Sequence, residues 1–337
     1  MHRLRHAGLT LAFVPVFVAL ASTVKADSML SGFSYPHPVQ TYAFTSQGQD
    51  LKMAYMDVAP AASANDRTVV LFHGKNFCGA TWEGVIAPLS KAGYRVVVPD
   101  QIGFCKSTKP STYQMSFYQL AANTHDLVKS IGVEKPILVG HSMGGMLATR
   151  YALSFPEDTT ALVLVNPIGL EDWSAKGVPG ATIDQLLEGE RKTTAAQIKA
   201  YQQATYYDGR WRPEFDRWVD MLASMYAGPD KESTILSQAR ASDMIFTQPV
   251  VHEFPRIAVP AVLIIGERDN TAIGKNRASP ELAKTLGHYP ELAREAAKRF
   301  PNARLITYPT LGHAPQIEEP EKFKRDLIGA LKSIPSP

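Results

Sequence analysis

Cysteine is scarce in this chain, and acidic residues are missing altogether from its first 26 positions. Two cysteines in 337 residues, Cys78 and Cys105, are too few for a disulfide framework. No H-E-x-x-H metal motif occurs, and no G-x-G-x-x-G or P-loop pattern follows a predicted strand, so no metal and no cofactor is expected. No internal period in the range of about 20–50 residues is found, which argues against a solenoid. The net charge of +3 comes from Arg3, Arg5 and Lys25, and the rest of the chain carries 32 basic and 32 acidic residues. That balance leaves no electrostatic footprint for nucleic acid or an anionic membrane. With 45% hydrophobic and 20% charged residues, the composition is that of a folded globular chain with material for a buried core.

The N-terminus reads as a secretion signal, residues 1–26. His2, Arg3, Arg5 and His6 precede an uncharged stretch from Ala7 to Val24, and Val24-Lys25-Ala26 fits a small-x-small cleavage site, with Ala19-Leu20-Ala21 as a second candidate. The apolar run is short for a spanning helix, which needs about 20 residues, and Pro15 interrupts it. An exported chain, periplasmic or secreted and without stable membrane insertion after signal removal, is expected. No cysteine follows the cleavage site, so lipid attachment there is not expected.

From residue 68 onward, short β-branched runs alternate with helical stretches. Thr68–Phe72, Arg95–Val98, Ile137–Val139, Ala161–Val165, Ala261–Ile265 and Arg304–Tyr308 have the continuous apolar character of strands buried on both faces. Helical segments are expected at Trp82–Ala92, Ser116–Ile131, Met143–Phe155 and Pro320–Leu331. This alternation predicts a mainly parallel sheet covered on both faces. Thr41–Ser46 and Leu51–Val58, flanking Gln47-Gly48-Gln49, look like an antiparallel hairpin at its edge. Between Leu170 and Pro255 no strand is apparent. Phe215, Trp218, Val219, Leu222 and Tyr226 share a helical face there, and a stretch of about 85 residues is too long for a simple loop. The expected organisation is a core over 27–170 and 256–337, with a helical cap over 171–255.

Gly140-His141-Ser142-Met143-Gly144 matches G-x-S-x-G, placed after a strand and before a helix. In that context the turn raises the serine hydroxyl above the sheet edge, and the helix N-terminus offers amides to a developing oxyanion. Phe72-His73-Gly74, Pro99-Asp100-Gln101-Ile102-Gly103-Phe104, Gly266-Glu267-Arg268-Asp269 and Leu311-Gly312-His313-Ala314-Pro315 each follow a predicted strand. Together these motifs resemble the α/β-hydrolase superfamily from about Thr41 to the C-terminus. One departure is Cys105, which replaces the second glycine of the D-x-x-G-x-G pattern.

The resemblance implies an eight-stranded, mainly parallel α/β sheet with helices on both faces and a helical cap insertion. It also implies a nucleophile at Ser142, a base at His313 and an acid at Asp269, in the chain order expected for the fold. Glu171 and Asp172, just beyond the preceding strand, are alternative acids. His73 and His141 are structural neighbours in this reading, and Asp100 stabilises its own loop. The oxyanion donors would be the backbone amides of Met143 and Lys75. The Lys75 side chain either reaches solvent or binds an anionic substrate. Cys78 and Cys105 fall on loops that lie side by side in the resembling fold, so they are either bridged or two buried thiols. Trp173, Tyr206, Tyr207, Trp211 and Trp218 are cap core or the lining of an apolar acyl pocket.

The expected reaction is hydrolysis of a carboxylic ester or related acyl bond in a small-molecule substrate, through an acyl-enzyme. Lactonase, C–C hydrolase, peptidase and perhydrolase chemistry on the same triad are alternatives, as is a non-catalytic ligand-binding homologue. The oligomeric state is not legible.

Overall fold

The computed structural model describes residues 26–335. Apart from Ala26, the expected signal segment lies outside the described residues. Eight strands form one sheet: β1 (Val39–Ser46), β2 (Gln49–Val58), β3 (Thr68–Phe72), β4 (Arg95–Pro99), β5 (Ile137–His141), β6 (Ala161–Val165), β7 (Ala261–Gly266) and β8 (Ala303–Tyr308), in the order β1-β2-β4-β3-β5-β6-β7-β8. β2 is antiparallel to β1 and β4, and β3 to β8 run parallel. The apolar runs do what their composition predicts, and every residue of β5, β6 and β7 is buried.

Successive side chains on a strand point to opposite faces, so each strand feeds two cores. Val69, Leu71, Val139 and Val163 belong to one, Val70, Phe72, Leu138 and Leu162 to the other. Of the helices, α1 (Glu83–Lys91) covers the first face, while α2 (Phe117–Ser130) and α3 (Met143–Ser154) cover the second. The start of α2 is fixed by Ser116, whose side chain accepts the Gln119 N–H at 3.1 Å.

No strand interrupts 171–255. That interval holds α4 (Ile183–Arg191), α5 (Ala195–Tyr201), α6 (Asp216–Ala227) and α7 (Lys231–Thr247). Capping boxes at Thr182/Gln185 and Thr194/Gln197 start α4 and α5 by satisfying their first free N–H groups. α5 runs on into a wider turn at Gln202–Tyr206. Phe215, Trp218, Val219 and Leu222 are buried as their shared helical face predicts. Beyond β7 come α8 (Pro280–Ala283), α9 (Tyr289–Arg299), α10 (Pro315–Glu318) and α11 (Pro320–Ser333). Among the described residues, no helix is long and apolar enough to cross a membrane.

Strand order reverses between β3 and β5, because the chain leaves β3 for β4 on one side and later returns to β5 on the other. Loops beyond the carboxyl ends diverge at such a switch point and leave a crevice. The loops after β3, β5, β7 and β8 all open on that rim.

Candidate active site

Ser142 follows β5 directly with φ +57° and ψ −121°, a left-handed backbone that costs a non-glycine residue about 1–3 kcal/mol and persists only where the surroundings impose it. Here Ser142 N–H donates to Val165 O at 3.1 Å, and Ser142 O accepts from Gly145 N–H at 2.9 Å. The turn also needs glycine where α3 crosses the strands: a Cβ on Gly144 would lie 2.4 Å from Phe72 O, and one on Gly140 would lie 2.2 Å from Gly144 O.

Asp269 and His313 come from the loops after β7 and β8. Asp269 Oδ2 accepts from His313 Nδ1–H at 2.6 Å, with both side chains fully buried. This bond fixes the tautomer, so Nε2 presents a lone pair, and among the described residues Nε2 is buried without a hydrogen-bond partner. The carboxylate is held in turn by Thr271 N–H on Oδ1 at 2.9 Å and by Asn166 Nδ2 on Oδ2 at 2.9 Å. Asn166 is also the acceptor for Gly266 N–H at 2.8 Å, so it locks the end of β6 to the loop that carries the acid. The one sequence signal for Asn166 is its position directly after the apolar run of β6.

The alternative acids lie elsewhere. Glu171 accepts from Trp173 Nε1 and Gly287 N–H and pairs with Lys176, whereas Asp172 pairs with His252 at 2.8 Å. Neither touches His313.

The two neighbouring histidines are structural. Gln101 N–H donates to His73 Nε2 at 3.0 Å, so the proton sits on Nδ1, which donates to Gly74 O at 2.9 Å. His141 Nε2–H donates to His313 O at 2.8 Å, and the two rings are 4.9 Å apart. Since Ser142 is the next residue, His141 joins the serine turn to the His313 loop. Burial pushes the His73 pKa down; burial first and the proximity of His313 second push that of His141 well below the ordinary value.

Gly74 packs directly on the serine turn, for a Cβ placed there would lie 3.1 Å from Ser142 Cβ. The next amide is that of Lys75. Among the described residues neither the Lys75 N–H nor the Met143 N–H has a protein acceptor, and Met143 is the first residue of α3. Two uncommitted amides beside a serine are the pattern an oxyanion requires.

Cap residues hold this machinery from above. Tyr206 O accepts the His313 N–H at 2.8 Å, and its ring stacks on the imidazole at 4.5 Å and 27°. An imidazolium formed there would face an electron-rich ring. The Tyr206 hydroxyl accepts from Asn76 Nδ2 at 2.9 Å. Lys75 Nζ pairs with Glu190 at 2.9 Å, and Tyr226 OH donates to the other Glu190 oxygen at 2.6 Å. Lys75 therefore does not simply reach solvent: its charge is paired with a cap acid. Of the two readings of the cap aromatics, cap core is the one their burial supports. Trp173, Tyr206, Tyr207 and Trp218 are buried in the core, with Trp211 packed against it. None of the five lines the cavity of about 770 Å³ that lies beyond Lys75 and Asn76.

Cys78 and Cys105 are joined by a disulfide, with Cα atoms 5.8 Å apart. Cys105 has φ +50°, so it takes the left-handed backbone that the glycine of the pattern would adopt with less strain. Asp100 completes the brace by accepting from Gly79 N–H at 2.8 Å, Tyr35 OH at 2.6 Å and Lys106 N–H at 3.1 Å. Among the described residues Cys78, Asp100 and Cys105 form the one cluster with metal-like proximity. The bridged sulfurs and the committed carboxylate leave no ligand set there.

Comparison with known proteins agrees with this architecture. Residues 67–320 match the family described as alpha/beta hydrolase fold. The structure of a probable hydrolytic enzyme from Pseudomonas aeruginosa PAO1 superposes with a TM-score of 0.90 at 55% identity, covering 92% of this chain and 99% of the other. The chain is 37% identical over 278 residues to 2-hydroxy-6-oxononadienedioate/2-hydroxy-6-oxononatrienedioate hydrolase of Comamonas testosteroni, across 78% of this chain and 87% of that one. It is 24% identical over 245 residues to Lipase 1 of Psychrobacter immobilis, across 72% and 70% of the two chains. With its sheet order, its serine turn and these relatives, the chain belongs to the α/β-hydrolase fold family of hydrolases.

Proposed function

We propose that this protein is a serine hydrolase that cleaves a carboxylic ester or related acyl bond. A serine hydroxyl is a weak nucleophile at neutral pH and needs a base in reach. Ser142 attacks the acyl carbon as His313 Nε2 takes its proton, and Asp269 stabilises the imidazolium. The Met143 and Lys75 amides receive the oxyanion. His313 then returns the proton to the leaving group, and water repeats the sequence on the acyl-enzyme.

The observation that carries this reading is the buried 2.6 Å Asp269–His313 bond, which leaves Nε2 unpartnered beside the serine turn. A fluorophosphonate probe tests it. Stoichiometric labelling at Ser142, lost in Ser142→Ala, is expected; folded protein that resists the probe would instead favour a non-catalytic ligand-binding homologue.

A second reading is hydrolysis of a C–C bond on the same triad, favoured by the 37% identical relative named for a dienedioate substrate. Turnover of a 2-hydroxy-6-oxo-dienoate with no turnover of activated esters would select it. We also propose that the chain is exported. The basic, apolar and small-residue order of its first 26 positions supports this, as does a disulfide of a kind that persists in oxidising compartments. A mature N-terminus beginning after Ala26 or Ala21 is the expected mass-spectrometric result.

A further inference from the structure

The cavity beyond Lys75 and Asn76 has the volume of a small-molecule site. Ser142 and His313 do not line it, but Lys75 and Asn76 do, and they directly follow Gly74, the residue that packs on Ser142, so the cavity lies next to the serine turn. Three charged residues line it: Lys75, Glu190 and Arg277. Lys75 and Glu190 neutralise each other at 2.9 Å. Arg277 is left over.

Arg277 is half-buried on the loop between β7 and α8. Its Nε donates to Pro179 O at 2.8 Å, and its guanidinium carbon sits 5.1 Å from the centroid of the Phe246 ring. These contacts hold the stem and one edge of the fork. Among the described residues, the two terminal nitrogens make no hydrogen bond, and no carboxylate lies within 4.0 Å of the group. Asp243 borders a smaller cavity that Arg277 also lines, without forming an ion pair with it. Burial pushes the guanidinium pKa down, and no acid offsets that cost. A rigid fork, mounted on an aromatic shelf and open to a cavity, suits bidentate recognition of a planar anion.

We propose that Arg277 is a specificity residue that binds a carboxylate of the substrate, placed on the part of the molecule that extends from the scissile carbonyl into the cap cavity. The substrate class is then a short acid-bearing ester or related acyl compound, not a long-chain lipid. The polar side chains of Gln185, Gln197 and Asn276 along the same walls agree with this. The inference rests on the serine-hydrolase reading for the chemistry at Ser142, but the anion site itself does not.

Two measurements on the full chain separate them. In the first, kcat/KM is compared for the p-nitrophenyl monoester of glutaric acid and for p-nitrophenyl pentanoate. A second pair, p-carboxyphenyl acetate and p-carbamoylphenyl acetate, carries the anion on the leaving group. A charge-assisted hydrogen bond of ordinary strength predicts a preference of about tenfold or more for the anionic member of one pair. Arg277→Gln should collapse that ratio, and Arg277→Lys should restore part of it. Equal rates within both pairs, or a preference untouched by Arg277→Gln, would overturn the proposal.

In the second measurement, glutarate is titrated calorimetrically into Ser142→Ala protein and into the Ser142→Ala/Arg277→Gln double variant, each with its thermal melt checked. Binding by the first and at least about tenfold weaker binding by the second is expected. Equal binding by the two, or none by the first, would refute the site. Because this titration needs no turnover, it reads Arg277 even if the fluorophosphonate probe fails to label Ser142.

Discussion

The site has a sheet side and a cap side, and they are held together differently. On the sheet side, Ser142, Asp269 and Asn166 sit within a few residues of strand ends. Their positions are set by backbone hydrogen bonds and by glycines that allow no Cβ. On the cap side, single side chains reach across. Tyr206 meets His313 and Asn76, and Glu190 meets Lys75 and Tyr226. A contact embedded in the sheet has no alternative geometry, whereas one made by a lone side chain can be lost while the fold stands. Changes on the sheet side should therefore abolish turnover, and changes on the cap side should tune it.

The sharpest test of that contrast is the acid. Asp269→Asn would favour the wrong imidazole tautomer and should lower kcat by about 10³–10⁴-fold, while Glu171→Gln and Asp172→Asn should stay within about threefold of the parent. Steady-state kinetics decides between them; a large loss in either of the latter would move the acid and break the comparison.

Next in size is the brace below the cap. Replacing both cysteines by serine opens a loop with a sequence separation of 27 and should cost about 3 kcal/mol on the chain-entropy account. The shift in urea midpoint measures it, and an unchanged midpoint would show that the Asp100 hydrogen bonds hold the loops without the bridge.

On the cap side, Tyr206→Phe keeps the ring on His313 and removes the hydroxyl from Asn76. Loss of one such bond, about 0.5–1.5 kcal/mol, should lower kcat about 2–10-fold with KM little changed. Because Asn76→Ala breaks the same bond, the double variant should be no worse than either single one. Additive losses would mean that the bond does not link these residues.

The last prediction concerns the pH dependence of stability, not turnover, and centres on Glu318, which accepts the Gly312 N–H at 2.7 Å and pairs with Arg210. Burial pushes its carboxyl up to about 7 from an ordinary 4.5. Between those values the folded chain binds more protons than the unfolded one, so this group's contribution makes stability fall as pH rises from 4.5 to about 7. Glu318→Gln should flatten that part of the profile, read as the difference between the urea midpoints of the two proteins across the window.

The same division explains what was legible in the sequence. The six parallel strands could be read as apolar runs and the antiparallel pair β1–β2 from the turn between its two runs, and the Ser142, Asp269 and His313 motifs could be placed because each follows one of the parallel strands. Helix α9 was not foreseen. Its buried face is Tyr289, Ala293 and Ala296, and alanine adds little to an apolar period. Tyr206 lies in a wide turn where neither a 3.6 nor a 2.0 period applies, so its contact with His313 leaves no pattern. The role of Asn166 was hidden because an amide that orients a carboxylate does not look like catalytic chemistry. Arg277 ends a single short 3-10 turn, Lys275–Arg277, that leaves no periodic pattern, and its lack of an acidic partner is a fact of three dimensions.

The central claim is that Ser142 attacks an acyl carbon whose oxygen turns toward the Met143 and Lys75 amides. A crystal structure of the protein inactivated by an alkyl fluorophosphonate tests it most directly. The expected adduct has phosphorus bonded to Ser142 Oγ, with the phosphoryl oxygen about 2.7–3.1 Å from both amide nitrogens. An adduct on another residue, or one on Ser142 with that oxygen turned away from both amides, would contradict it.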